Sequence, residues 1–214
     1  MTPSAVNHCL RSACFAVLLS RRLPMISGKT LDMELVVYSC LMHDLGWATT
    51  KELLSTDKRF EVDSANLARE FVLSDTHVAW DNHRAQLSWD AIALHTTPSI
   101  AHHKEPDVIL VQFGISADFL GPNLPPKGLI KPEEFKEIVD AFPRLGFKDE
   151  LIRTMCGLCR DKPETTLDNV ASLFGVTYGI DGNGTGKENF IEKLAQHAPM
   201  RTGVAALTAC ERYE

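Results

Sequence analysis

The sequence predicts an all-α fold, and three observations carry that reading. Apolar residues recur near helical spacing in one segment after another. Strict apolar–polar alternation, the mark of a half-buried strand, is nowhere sustained. Proline and glycine gather in one stretch, Gly121 to Pro132, which reads as a loop between blocks of helix.

The first predicted helix covers residues 5 to 22, with Leu10, Cys14, Val17 and Leu18 near helical spacing. Within it, Ala13 to Leu19 has the character of a short signal core. Arg21-Arg22 follows after Ser20 and no small-residue cleavage site is evident, so it reads as a core helix. The second covers residues 31 to 45. Leu35, Val36, Val37, Tyr38, Cys40, Leu41 and Met42 make it apolar all round, as in a buried helix, and Gly46 supplies its stop. Phe60 to Leu73 fits an amphipathic helix through Val62, Ala65, Ala68 and Val72, with Leu67 and Phe71 beside them. Trp80 to Leu94 continues in helical style, and Asp107 to Leu120 is strongly apolar. After the loop, shorter helices are predicted at 133–142, 148–160, 166–174 and 187–197.

The 214 residues suit one domain, and 44% apolar residues can bury a sizeable core. A net charge of -6 argues against a general nucleic-acid binder, since the clusters Arg21-Arg22 and Lys127, Lys131 are too small to make a basic face. No apolar run approaches the roughly 18 residues of a membrane span. Six cysteines do not suggest a disulfide scaffold. Cys9, Cys14 and Cys40 read as small buried hydrophobes, and the lone Cys156-x-x-Cys159 is weak evidence for zinc. A reduced, cytoplasmic setting follows as the expectation.

Two anomalies carry the chemistry. His43-Asp44 places a titratable base and an acid side by side at the end of a buried helix, costly unless something binds both. A divalent metal would, and the helix C-terminus favours a cation. The alternative is a helix end meeting water. Asp118 is the only carboxylate between Val108 and Leu120. A buried carboxylate needs a partner, so Asp118 either ligates an ion, pairs with an Arg or Lys, or lies on an exposed strip. With His8, these residues make two imidazoles and two carboxylates from three helices. That set suits Zn²⁺, Fe²⁺ or Mn²⁺ without choosing among them. His95, His102 and His103 follow in later segments, whereas His77, His83 and His197 sit among polar residues and are expected to face solvent.

The order His, His-Asp, Asp resembles the HD-domain superfamily of metal-dependent helical enzymes. The closer resemblance is to its fungal branch related to cyanamide hydratase. It rests on Asn7-His8-x-x-Arg11-Ser12, His43-Asp44-Leu45-Gly46, Trp89-Asp90-Ala91-Ile92-Ala93-Leu94-His95-Thr96-Thr97, and His103-Lys104-Glu105-Pro106 running on to Gly114-Ile115-x-x-Asp118. Leu158-Cys159-x-x-Lys162-Pro163-x-Thr165-Thr166-x-Asp168-Asn169 is similar to that group as well. The resemblance implies a single helical domain over 1–214, with a metal-site core at about 5–122 and C-terminal helices at about 133–214. It implies one divalent ion, zinc first and iron or manganese after it, on His8, His43, Asp44 and Asp118. Relatives of this kind usually carry more sequence before the Asn-His motif, so the helix bearing His8 is expected to fray.

Three functions stay open. The first is a hydro-lyase or hydrolase adding water to a small polar molecule, with a nitrile such as cyanamide as the implied substrate and His95 and His103 as proton-relay or substrate-orienting residues. The second is a phosphohydrolase with a second metal on His95, His102 and His103, which lacks a basic cluster to hold phosphate. The third is a non-catalytic, metal-stabilised binding protein. The expected partner is a small molecule, with no nucleic acid or membrane, and with a second copy of the chain left open. Asp181 to Glu192 nearly fits a calcium loop, but Glu188 and the flanking glycines favour a flexible loop.

Overall fold

Helices α1 (Pro3–Leu19), α2 (Met33–Met42) and α6 (Pro106–Leu120) enclose the main core of the protein. The computed structural model describes residues 1–74, 80–197 and 199–213, so the expectation for His77 lies outside the described residues. The remaining helices are α3 (Phe60–Ser74), α4 (Asn82–Ala93), α5 (Pro98–Ala101), α7 (Pro132–Ala141), α8 (Phe147–Asp161), α9 (Ala171–Tyr178), α10 (Lys187–His197) and α11 (Pro199–Cys210). No strand occurs among the described residues, and none of their helices is long and apolar enough to cross a membrane. The fold is all-α, as the periodicity indicates.

The core is built from Phe15, Ala16 and Leu19 of α1, Val36 and Cys40 of α2, and Val108, Leu110, Val111 and Ala117 of α6, all buried. Small residues set how closely these helices approach. A Cβ on Gly114 of α6 would lie 2.7 Å from the Ala16 Cβ and 2.8 Å from the Ser12 carbonyl oxygen on α1. That glycine lets a long apolar helix lie directly on α1. Helix α1 is already formed at His8. Thr2 caps it, accepting from the Ala5 amide at 3.4 Å, Pro3 fills the first turn, and His8 is buried in the second.

Helix α2 starts at Asp32, whose Oδ1 accepts from the Leu35 amide at 3.0 Å. Arg84 of α4 donates to both Asp32 oxygens (2.5 and 2.8 Å) and to Glu34 (2.7 Å), tying α2 to α4. The end of α2 is fixed against α3. The Gly46 amide donates to Ser64 Oγ at 2.7 Å, and Ser64 Oγ donates to the Phe60 carbonyl at 2.9 Å. A side chain on Gly46 would collide with that same carbonyl.

The chain divides into two units, Met1–Glu150 and Leu151–Glu214. In the second unit, the predicted helix 166–174 sits later, at Ala171–Tyr178. Asn169 explains the shift, since its Oδ1 accepts from the Ala171 amide at 3.0 Å and its Nδ2 donates to the Thr165 carbonyl at 2.7 Å. An Asn that bonds its own backbone starts a turn in place of a helix. Gly179, at φ +71°, ends α9. Helix α11 lies beyond the last predicted element.

Candidate metal centre

Two of the key imidazoles are placed by the same local device. A helix leaves its last carbonyls without partners. After α2, His43 donates from Nδ1 to the Cys40 carbonyl at 2.7 Å; after α4, His95 donates from Nδ1 to the Ile92 carbonyl at 2.7 Å. A carbonyl only accepts, so the proton sits on Nδ1 in both rings. Each Nε2 is thereby turned away from its own helix end.

His8 reaches the same arrangement from mid-helix. Its Nδ1 lies 2.7 Å from Asp118 Oδ2 on α6. Asp118 is fully buried and gripped by Arg11, with Nε on Oδ1 at 2.7 Å and Nη2 on Oδ2 at 2.8 Å. Arg144 adds a contact at 3.1 Å to Oδ1 and another to the Asp118 carbonyl. Burial raises the Asp118 pKa, but the hydrogen bonds from His8 and Arg11 outweigh it and hold the group at about 2. The ionised carboxylate therefore accepts from His8 Nδ1, leaving Nε2 as the free position.

His8 Nε2 and His43 Nε2 stand 3.1 Å apart. Asp44 Oδ2 lies 3.2 Å from His43 Nε2 and 3.6 Å from His8 Nε2, and Asp44 Oδ1 lies 3.9 Å from His95 Nε2. Both Asp44 oxygens are buried and accept no hydrogen bond. A fully buried carboxylate with two unpartnered oxygens costs several kcal/mol, and Nε2 lone pairs aimed at it make the deficit one of positive charge. His8, His43 and Asp44 are the one group of three or more His, Cys, Asp or Glu able to hold a metal among the described residues. Their donor chemistry, two neutral imidazoles and a carboxylate, fits a divalent ion. Nδ1 bonds to a carboxylate or a carbonyl are the usual support behind metal-binding histidines.

The electrostatics agree. Burial raises the Asp44 pKa, but His43, His8 and His95 together hold it below the ordinary carboxylate value. Burial lowers the His43 pKa, yet Asp44 beside it lifts the ring well above its usual value. Burial and the His43 charge push His95 down to about 4.

Apolar rings close around these groups. His8 stacks on Phe147 at 4.5 Å and meets Phe119 edge-on at 5.2 Å, Trp47 lies parallel to His8 at 6.4 Å, and Phe60 meets His95 edge-on at 5.7 Å. A family model described as the HD domain matches residues 5–113, just over half of the chain. The chain belongs to the HD-domain family. The match takes in His8, His43, Asp44 and His95 and stops before Asp118. No curated protein matches the chain. HD domains are generally metal-dependent hydrolases, and the His-His-Asp cluster fits that chemistry.

Asp118, His102 and His103 are outside that three-residue group. Asp118 is bound to Arg11, Arg144 and the far nitrogen of His8, one residue behind the His-His-Asp group. His103 is exposed on the turn after α5. His102, offered for a second metal, donates from Nε2 to Gln112 Oε1 at 2.7 Å and stacks on Phe113. His83 and His197 are exposed, as expected. Arg11 is a further functional group, through its grip on Asp118. It is a charged residue three positions from His8 in an apolar helix, the same anomaly that marks Asp118.

Proposed function

We propose that this HD domain is a metal-dependent hydro-lyase that adds water to small neutral nitrogen compounds, a nitrile such as cyanamide being the type of substrate and urea its product. His8, His43 and Asp44 hold the ion, zinc being the first expectation, and Asp118 orients His8. The observation that carries the choice over phosphoester hydrolysis is the state of the nearby arginines. Arg11 is committed to Asp118 and to the Phe142 and Pro143 carbonyls, and Arg144 to Asp118. Arg11 is therefore not free to grip a phosphate, and Arg144 is anchored to Asp118 through Nη2; bidentate guanidinium contacts are a common way to hold that anion.

A divalent ion held there supplies Lewis acidity and brings the pKa of a water to about 7. Hydrating a nitrile to the amide puts the water oxygen on carbon and both water protons on nitrogen. His95 suits that proton traffic. Its Nδ1 is fixed to Ile92, its Nε2 faces the Asp44 side of the centre, and it lies within a buried aromatic enclosure. The buried rings of Phe60 and Phe147 beside these groups lower the local polarity, which strengthens charge interactions there.

The test is direct. Protein reconstituted with zinc is given cyanamide and, separately, p-nitrophenyl phosphate, and urea and phosphate are measured. Chelator-sensitive urea formation supports the proposal. Phosphate release without urea overturns it in favour of a phosphohydrolase. A folded, metal-loaded protein inert to both supports a non-catalytic role.

A further inference from the structure

Two more buried polar atoms flank the centre without partners, and they are of opposite kinds. Glu61, at the start of α3, is fully buried. Its Oε1 accepts from Thr96 Oγ1 at 2.5 Å and from Arg59 at 3.0 Å, while Oε2 accepts from nothing. Trp47 Nε1, a donor only, is also buried and unpartnered. Both adjoin residues of the metal centre. Thr96 is the chain neighbour of His95; Phe60, next to Glu61, packs on His95 at 5.7 Å and on Trp47 at 5.9 Å; and the Trp47 ring lies over His8.

An orphan buried acceptor costs the full desolvation of the group, more when it is charged. Such a cost is removed when a ligand supplies the missing partner. Glu61 Oε2 calls for an N–H donor, and Trp47 Nε1 for an acceptor. A carboxylate at this place also disfavours an anion.

Building on the metal-centre reading, we propose that Glu61 and Trp47 form the specificity subsite of this enzyme. Glu61 accepts from an N–H of the substrate, Trp47 donates to its acceptor atom, and the pair selects neutral amino or amide compounds over phosphoesters. Arg59 and Thr96 hold the Glu61 carboxylate in place through Oε1 and leave Oε2 for the ligand.

The test uses urea, cyanamide and inorganic phosphate as probes on the full, zinc-loaded chain. Binding is read from the indole N–H resonance of Trp47 and by calorimetry, so turnover is not required. Glu61→Gln, which removes the charge but keeps the shape, is expected to retain its metal and to weaken urea binding about ten- to hundred-fold, the range for a hydrogen bond to a charged group. Phosphate is expected to bind Glu61→Gln more tightly than the wild type. In turnover, KM for cyanamide is expected to rise more than kcat falls. Wild-type urea affinity in metal-loaded Glu61→Gln, or no urea binding by the wild type, overturns the subsite. If Glu61→Gln does not fold, Trp47→Phe decides, since it keeps the ring and deletes one donor; unchanged urea affinity there overturns the proposal. A wild type that binds urea but hydrates no nitrile refutes the proposed reaction and leaves the subsite standing.

Discussion

Two regions of this molecule carry residues that look like ligands in the sequence, and they differ in how their polar atoms are satisfied. In the second unit, Cys159 Sγ lies 3.3 Å from the Ala171 carbonyl and Cys156 Sγ 4.0 Å from that of Phe174. Asp181 Oδ1 accepts from the Asn183 and Thr185 amides at 2.8 and 3.1 Å, and its Oδ2 from Thr185 Oγ1 at 2.6 Å. Each suspicious group there answers its own backbone. At the end of α2, Asp44 is buried with two unanswered oxygens while three imidazoles face it. What separates a site from a turn is the unmet hydrogen-bonding demand, and not the residue types.

The largest way to break this contrast is to remove the orphan itself. Asp44→Ala is expected to reduce bound zinc from about one ion per chain to near zero, because a ligand and its charge are lost together. His103→Ala is expected to keep its metal, since His103 is exposed on the turn after α5. Elemental analysis of both purified variants checks this. Equal loss in the two would bring His103 into the ligand set.

Asp118 sharpens the comparison next. Asp118→Ala leaves the Arg11 guanidinium, which is fully buried, without its carboxylate. Breaking one side of a buried ion pair is expected to cost about 3–5 kcal/mol in denaturant unfolding. Asp118→Asn keeps the shape and tests the role directly. As the partner behind His8, its loss is expected to weaken zinc by about 10–100-fold without abolishing it. Abolition as complete as in Asp44→Ala would make Asp118 a direct ligand, the role implied by the resemblance to HD proteins.

The ease of reading these features from the sequence tracks how local their causes are. The helices follow from spacing, and the buried character of α2 and α6 from their all-round apolarity. His43-Asp44 and Asp118 stood out because each is a charge in an apolar helix. The pairing of Arg11 with Asp118 did not, because the two residues are 107 positions apart and only the crossing of α1 and α6 joins them. Glu61 was hidden for another reason. An acid in the first turn of a helix reads as an ordinary complement to the helix dipole, and only its burial shows otherwise. Asn169 displaced α9 through a side-chain bond that outweighs apolar periodicity.

The α1–α6 crossing offers a prediction about packing. Gly114→Ala inserts a methyl where Ala16 and the Ser12 carbonyl already stand within 3 Å. Overpacking of this kind is expected to cost about 1–3 kcal/mol. Because α6 carries Asp118, zinc affinity is expected to fall alongside stability. A thermal and denaturant series run with and without zinc checks this, and a variant as stable as the wild type would show that the two helices separate freely.

The smallest expected effects are in the second unit, and they test the principle from the other side. Asp181→Ala removes an acceptor that serves the turn from Asp181 to Thr185, where Gly182 and Gly184 already adopt positive φ. The loss is expected to resemble that of a side-chain cap, about 1 kcal/mol. Cys156→Ser and Cys159→Ser replace thiols bonded to nearby carbonyls. All three variants are expected to bind as much zinc as the wild type and to show no calcium-dependent change in stability at the wild-type loop. The reason is physical: an acceptor already served by two amides and a hydroxyl gains little from a cation, whereas Asp44 has no such service. If calcium raised the melting temperature of the wild type and Asp181→Ala erased that rise, a satisfied turn would have proved able to exchange its own hydrogen bonds for an ion, and unmet demand would no longer separate the two regions.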